Sequence, residues 1–170
     1  MDNIIYAANT GKPYRLDVED FDYFNQWSWH EGDNGYLQRC PRTGGLLLHV
    51  EIMKRAGLHE EDKYVDHKDR NKQDCRKTNL RMATPSQSQA NCLKPNRTSD
   101  YRGIFPAVSN TKNGVIANGR WQAKIRFEKR QICLGTFDTQ EQAAKAYDKA
   151  AKSFYKEFAV LNFPEESTNG

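Results

Sequence analysis

Cysteine is scarce in this sequence of 170 residues. Four are present, Cys40, Cys75, Cys92 and Cys133, and none stands in a Cys-x-x-Cys pair. Their gaps are long and irregular, so no structural zinc is expected. Long apolar runs are missing too. The longest covers residues 4–8, far short of a membrane span, so no membrane partner is expected. No basic-then-apolar leader opens the chain, and a cytoplasmic location with reduced thiols is the expectation. Apolar residues make up 37% and charged residues 28%. That lean apolar share implies a core that is small or split. No internal repeat is visible.

Charge is present but unevenly placed. Residues 1–93 hold 13 Lys+Arg against 14 Asp+Glu, whereas residues 94–170 hold 13 against 8. The positive surplus therefore belongs to the second part. Within it, residues 102–130 carry seven Lys+Arg and one acidic residue, Glu128. A local basic strip of this kind is the electrostatic footprint of a polyanion, and its affinity should fall as salt rises.

The first part reads as short strands and turns followed by a helix. The segments 36–40 and 46–48 flank Pro41-Arg42-Thr43-Gly44-Gly45, a hairpin signal. Leu48, Ile52 and Met53 have helical spacing, and Gly57 supplies a stop. Phe21, Phe24, Trp27 and Trp29 are read as core, and His49 as packing or a backbone contact to DNA, with catalysis as its remaining alternative. Tyr64-Val65-Asp66-His67 is a short strand ending in two polar groups, and Asn79-Leu80-Arg81-Met82 alternates as a second. Between them lies a polar loop. Thr84-Pro85-Ser86-Gln87 then opens a helix, with Thr84 as N-cap and Pro85 at the first helical position.

The polar, turn-rich residues 94–100 are read as a linker. Beyond them, Trp121, Ala123, Ile125 and Phe127 alternate with Arg120, Gln122, Lys124 and Arg126, the mark of a strand with one apolar and one polar face. Glu128-Lys129 is the expected hairpin turn. On the returning strand, Ile132 and Leu134 share one face, and Gln131 and Cys133 the other. Asp138-x-x-Glu141 resembles a capping box, and Ala143, Tyr147, Ala150 and Phe154 mark one helix face. The simple architecture is an antiparallel sheet with one helix on its apolar face. Its basic face wants a partner.

Val65-Asp66-His67-Lys68-Asp69, Thr78-Asn79-Leu80-Arg81 and Ala83-Thr84-Pro85-Ser86-Gln87-Ser88-Gln89-Ala90-Asn91 resemble the HNH endonuclease family in order and spacing. Val18-Glu19-Asp20-Phe21 and Leu48-His49-Val50-Glu51-Ile52-Met53 resemble the lead-in of phage-type members. The resemblance implies an α+β fold whose N-terminal ββα module surrounds one divalent metal, Mg²⁺ or Mn²⁺, behind extra N-terminal strands. It implies catalytic roles for His67, Asp66 and Asn79. An imidazole suits the general base, because its ordinary pKa is near neutral. A carboxylate such as Asp66 suits a hard cation, and Asn79 suits a loop-fixing amide. Adjacent strand residues point opposite ways, so Asp66 and His67 should sit where the strand breaks into the loop. The second protein ligand in such relatives is a helix Asn or His. Here the matching position is Ser88, with Asn91 about 5 Å further along the axis as the other metal ligand candidate.

Tyr101-Arg102-Gly103-Ile104, Trp121-Gln122-Ala123-Lys124-Ile125-Arg126, Leu134-Gly135-Thr136-Phe137-Asp138-Thr139 and Leu161-Asn162-Phe163-Pro164 are similar to the APETALA/ethylene-response-factor DNA-binding family. That resemblance implies a three-stranded antiparallel sheet lying in the DNA major groove and backed by one helix. Arg102, Arg120, Lys124, Arg126, Lys129 and Arg130 are then assigned to DNA, with Gln131 as the candidate base-edge reader. Trp121, by its parity, is assigned to the core. Phe105, Ala107 and Cys133 depart from the Arg and Trp usual at those places in plant members, so the plant target does not carry over. The expected organisation is an endonuclease domain over residues 1–93, a linker over 94–100 and a DNA-binding domain over 101–166. The expected partner is double-stranded DNA. The function implied is a homing-type, metal-dependent endonuclease of phage or intron origin in a bacterial cell. The alternative is a DNA-binding protein whose nuclease part is weakened.

Overall fold

The computed structural model describes residues 3–39, 45–92, 99–111 and 114–164, without the side chains of residues 109–111 and 114–118. Cys40, the hairpin turn at 41–44 and most of the expected linker lie outside the described residues. Those described form a mixed α+β structure with several small antiparallel sheets and four α-helices. They divide into two compact units, Met1–Pro85 and Ser86–Gly170.

In the first unit, β1 (Ile4–Tyr6) pairs with β2 (Pro13–Arg15), and α1 (Val18–Phe24) follows. The strands β3 (His30–Glu31), β4 (Leu37–Arg39) and β5 (Leu46–Leu47) form a meander. Next comes α2 (Leu48–Arg55), and then β6 (Tyr64–His67) paired antiparallel with β7 (Leu80–Ala83). The core gathers Tyr14, Leu16, Phe24, Trp29, Leu37, Leu48, Ile52, Met53, Val65 and Leu80. The Trp29 indole N–H donates to the Phe24 carbonyl at 2.9 Å, which satisfies the polar end of a buried ring. Gly57, at φ +69°, ends α2 in the left-handed conformation. The Leu58 N–H then reaches the Met53 carbonyl at 2.9 Å and the Gly57 N–H that of Lys54 at 3.0 Å, a Schellman closure that glycine permits.

The second unit contains most of α3 (Pro85–Asn91), which begins at the last residue of the first unit. Its sheet has β8 (Ile104–Thr111), β9 (Gly114–Phe127) and β10 (Arg130–Phe137) in the order β10-β9-β8, all antiparallel. The Glu128-Lys129 turn has φ of 48° and 66°, as a two-residue hairpin of matching twist requires. α4 (Gln140–Tyr155) runs on into a 3₁₀ turn, Lys156–Phe158.

Four local expectations change. The N-cap of α4 is Thr139, whose Oγ1 accepts from the Gln142 N–H at 3.2 Å. Asp138 instead pairs with Arg120. The register slips between Cys133 and Gly135, so a bulge at Leu134 resets the side-chain alternation. The buried stripe of α4 passes through Ala143, Ala144, Tyr147, Asp148, Ala151 and Tyr155, one position round from Ala150 and Phe154. Phe154 stacks on Phe127 at 4.9 Å on the flank of that stripe. Trp121 is half-buried, because it lies away from the centre of the packed face, opposite Pro106 and Phe137.

A carboxylate holds the ends of this unit together. Asp148, 7% exposed, accepts from the N–H groups of Asn162 and Phe163, both at 2.9 Å. Asn162 in turn accepts from the Arg102 N–H at 2.6 Å. Next to it, Gly103 sits at φ +75°, and a Cβ there would collide with the Tyr147 ring and lie 2.7 Å from the Lys124 carbonyl. Gly103→Ala combines backbone strain with overpacking, so it should destabilise the second unit by about 2–4 kcal/mol. Thermal or urea unfolding of the second unit checks this, and an unchanged midpoint would contradict the packing described.

Candidate active site and nucleic-acid interface

Asp66 and His67 are the last two residues of β6, still in register with Arg81 and Leu80. Strand alternation therefore sends their side chains to opposite faces. Asp66 is half-buried, and its Oδ2 accepts from Arg81 Nε at 3.1 Å. His67 points inward and is 3% exposed.

Two aromatic rings surround His67. The His49 ring, carried by α2, is centred 5.0 Å away, and the Tyr36 ring 5.8 Å away. Tyr36 and His49 lie 4.7 Å apart. Lys72 Nζ caps the other side of Tyr36 at 4.5 Å and donates to the Asn34 carbonyl at 2.6 Å. Cys75 Sγ stands 4.0 Å from His67 Nε2. Burial pushes the Cys75 thiol up to about 12, so it presents a neutral S–H and not a metal-binding thiolate.

Burial also lowers both imidazoles. His67 falls to about 4, although Asp69 and Asp74 oppose the shift, and His49 falls to about 3 with help from His67 and Lys72. Both rings are therefore neutral near pH 7. A neutral imidazole can take a proton, which a charged one cannot.

The loop between β6 and β7 is fixed by one amide. Asn79, 8% exposed, donates from Nδ2 to Asp69 Oδ1 at 2.8 Å and to the Asp74 carbonyl at 2.9 Å. Its Oδ1 accepts from the Asp69 N–H at 3.1 Å. Asp69 Oδ1 also takes the Asn71 N–H at 2.8 Å. The loop is docked on β2, where the Arg15 N–H reaches the Gln73 carbonyl at 2.7 Å and the Cys75 N–H the Arg15 carbonyl at 2.9 Å. His49, Tyr36 and Cys75 complete the His67 pocket; sequence reading assigns no chemistry to Tyr36 or Cys75, and to His49 only as an alternative to packing. The signals for His49 are its place in the Leu48-His49-Val50-Glu51-Ile52-Met53 lead-in and among the apolar positions of an amphipathic helix.

Among the described residues, one cluster has three metal-ligating side chains together: Asp17, Glu19 and Asp20. Lys77 Nζ already occupies it, 2.6 Å from Asp20 and 2.8 Å from Glu19. It is a salt-bridge network at the start of α1.

Of the α3 candidates, Ser88 is half-buried and Asn91 is 5% exposed, and both belong to the second unit. The remaining assigned residues lie on the sheet. Register places Gln131 opposite Arg126, Cys133 opposite Lys124, and Phe105 and Thr136 opposite Gln122. All of these share the polar face, and Arg126, Gln131 and Phe105 are exposed there. Lys129 and Arg130 are exposed at the hairpin end. Arg120 is paired with Asp138 at 2.9 Å. Arg102 differs. Its guanidinium donates to Tyr147 Oη at 2.9 Å, the Cys92 carbonyl at 2.8 Å and the Gln89 carbonyl at 3.4 Å. It is turned onto protein acceptors, not onto the sheet's open face.

The two lowered imidazoles set a pH dependence. Unfolded, each regains a value near 6.5, so between pH 6.5 and about 4 the unfolded chain binds more protons than the folded one. Stability is full above pH 6.5 and is lost as pH falls through that window. In metal-free protein the melting temperature of the first unit should drop by several degrees between pH 7.5 and 5. A flat profile would mean that the rings are solvated.

Comparison with known proteins bears on both units. Residues 47–90 match the family model described as HNH endonuclease. An uncharacterized HNH endonuclease of Acanthamoeba polyphaga mimivirus is 29% identical over 168 residues, covering 95% of this chain and 83% of that protein. Dehydration-responsive element-binding protein 2A of Arabidopsis thaliana is 33% identical over 99 residues, and a transcription factor of the same plant with AP2/ERF and B3 domains is 37% identical over 68. The matched segments span 27% and 17% of those two plant proteins. The chain is thus similar to HNH endonucleases through residues 47–90, and to AP2/ERF-type plant transcription factors through its C-terminal region.

Proposed function

We propose that this chain is a metal-dependent, homing-type DNA endonuclease that hydrolyses phosphodiester bonds in duplex DNA, with the C-terminal sheet selecting where it acts. The observation that carries the reading is His67. It is a buried, neutral imidazole at the end of β6, adjacent to Asp66 in the chain but on the opposite face of the strand, and braced by the Asn79-tied loop. Its Nε2 lies 4.0 Å from Cys75 Sγ, and the neutral ring is the group that takes the proton from the attacking water. Asn79 keeps the strand end and its loop in place, so His67 does not reorganise during the reaction.

The side chains that the HNH resemblance assigns to the metal are the carboxylate of Asp66, the hydroxyl of Ser88 and the amide of Asn91. These are hard oxygen groups, which fit Mg²⁺ or Mn²⁺ bound largely through phosphate and water. When bound, such a cation neutralises charge on the phosphate and the leaving oxygen. Ser88 is shorter than the Asn or His of relatives and makes the weaker ligand. The polar face of the sheet, with Lys124, Arg126 and Gln131, supplies phosphate contacts and candidate base-edge contacts.

A second reading is a DNA-binding protein with little or no cleavage. The Asp66–Arg81 pair favours it, because a cation must displace a guanidinium from the one carboxylate assigned to it.

Nicking of supercoiled plasmid with Mg²⁺ or Mn²⁺ separates the two. The wild type should nick, and His67→Ala should lower the rate on the order of a hundred- to ten-thousand-fold with DNA affinity kept. Ser88→Asn should raise the rate or lower the Mg²⁺ required. Unchanged nicking by His67→Ala refutes the base assignment. If Ser88→Asn changes nothing while Asn91→Ala abolishes cutting, Asn91 is the ligand.

A further inference from the structure

The match to the HNH model runs to residue 90, yet the chain from Ser86 onward belongs to the C-terminal unit. The last element of the nuclease motif is therefore held by the DNA-binding part of the molecule. The way it is held is specific. Sequence order puts β8 opposite β9 only as far as Ile104, which pairs with Ala123, and the Lys124 N–H closes onto the Gly103 carbonyl at 2.8 Å. Beyond that point β9 has no β8 partner. A cleft of about 380 Å³ lies there, and its lining includes Gln89 and Ala90 of α3 together with Arg102, Lys124, Arg126 and Tyr155.

α3 buries Ala90 and Asn91, and polar ties at its two ends add to that packing. One tie lies near the N-terminus, where Ser86 Oγ accepts from the Glu128 N–H at the long distance of 3.4 Å. The stronger tie lies at the C-terminus. Arg102 spans two carbonyls at that end, those of Gln89 and Cys92, while its Nε is held by Tyr147. A cation is also the favoured charge at a helix C-terminus, and α3 has no basic residue of its own in its last turn. Arg102 is in turn fixed at its backbone by Asn162 on both sides, at 2.6 Å and 3.2 Å.

We infer that Arg102 is a positioning residue. It couples the DNA-reading sheet to the placement of α3, and through α3 to the metal-side residues Ser88 and Asn91. This rests on the nuclease reading for what α3 does, and on the hydrogen bonds alone for how α3 is held. A phosphate contact would need only the charge at this position. A clamp on three acceptors needs the planar fork, which lysine lacks.

The full-length protein with Arg102→Lys and Arg102→Gln tests this. Both variants should speed hydrogen exchange of residues 86–92 in metal-free, DNA-free protein, roughly tenfold for Arg102→Gln. Both should raise the Mg²⁺ concentration for half-maximal nicking by about tenfold. Duplex affinity should stay within about twofold and the salt slope unchanged, whereas Arg126→Ala, the comparator, should lower the slope by about one. The inference is overturned if exchange in residues 86–92 does not change. It is equally overturned if Arg102→Gln lowers the salt slope by about one and Arg102→Lys restores it, for then Arg102 is a phosphate contact. If the wild type does not cut, or cuts with no divalent ion, the metal-dependent nuclease reading fails, and the exchange data still decide whether Arg102 clamps α3.

Discussion

The N-terminal unit depends on the closure of one loop by one amide. Asn79 bonds Asp69 twice and the Asp74 carbonyl once, at 2.8–3.1 Å. The backbone of the same segment is docked on β2 through Arg15, which bonds Gln73 and Cys75, and Asn79 ties the remaining loop to that anchored stretch. Loss of a buried amide that serves three groups costs more than one average hydrogen bond, because its partners are left desolvated.

Burial of two adjacent imidazoles is the unit's main departure from a simple core. Each gives up hydration without a strong ionic partner, so each is held neutral well below its ordinary pKa. The two rings are centred 5.0 Å apart, and holding both neutral costs stability in acid. Asp66, on the other face of the same strand, is paired with Arg81 across the hairpin.

Much of this was legible in the sequence. Period-two alternation in β9 identified the polar and apolar faces, since Ala123 and Ile125 are buried and Arg126 is exposed. Gly57 marked the end of α2, and Pro85 the start of α3. The less legible features depend on partners far apart in the chain. The N-cap of α4 lies at Thr139 because Asp138 is drawn to Arg120, 18 residues away. Arg102 reads as one more surface cation, and only the fold shows its three acceptors. His49 reads as a core residue, and only the approach of α2 to β6 brings it against His67. The bulge at Leu134 has no sequence signal beyond the following glycine.

His67 is a buried imidazole that is neutral near pH 7, with His49 as its neutral neighbour. The direct measurement is an NMR titration of the histidine ring nitrogens in metal-free protein, with His67 and His49 assigned by single substitution. Both rings should keep neutral-imidazole shifts from pH 7 down through pH 5.5, with midpoints near 4 for His67 and 3 for His49 or loss of the fold before they are reached. A His67 midpoint near 6.5 in the folded protein would show a solvated ring and contradict the account.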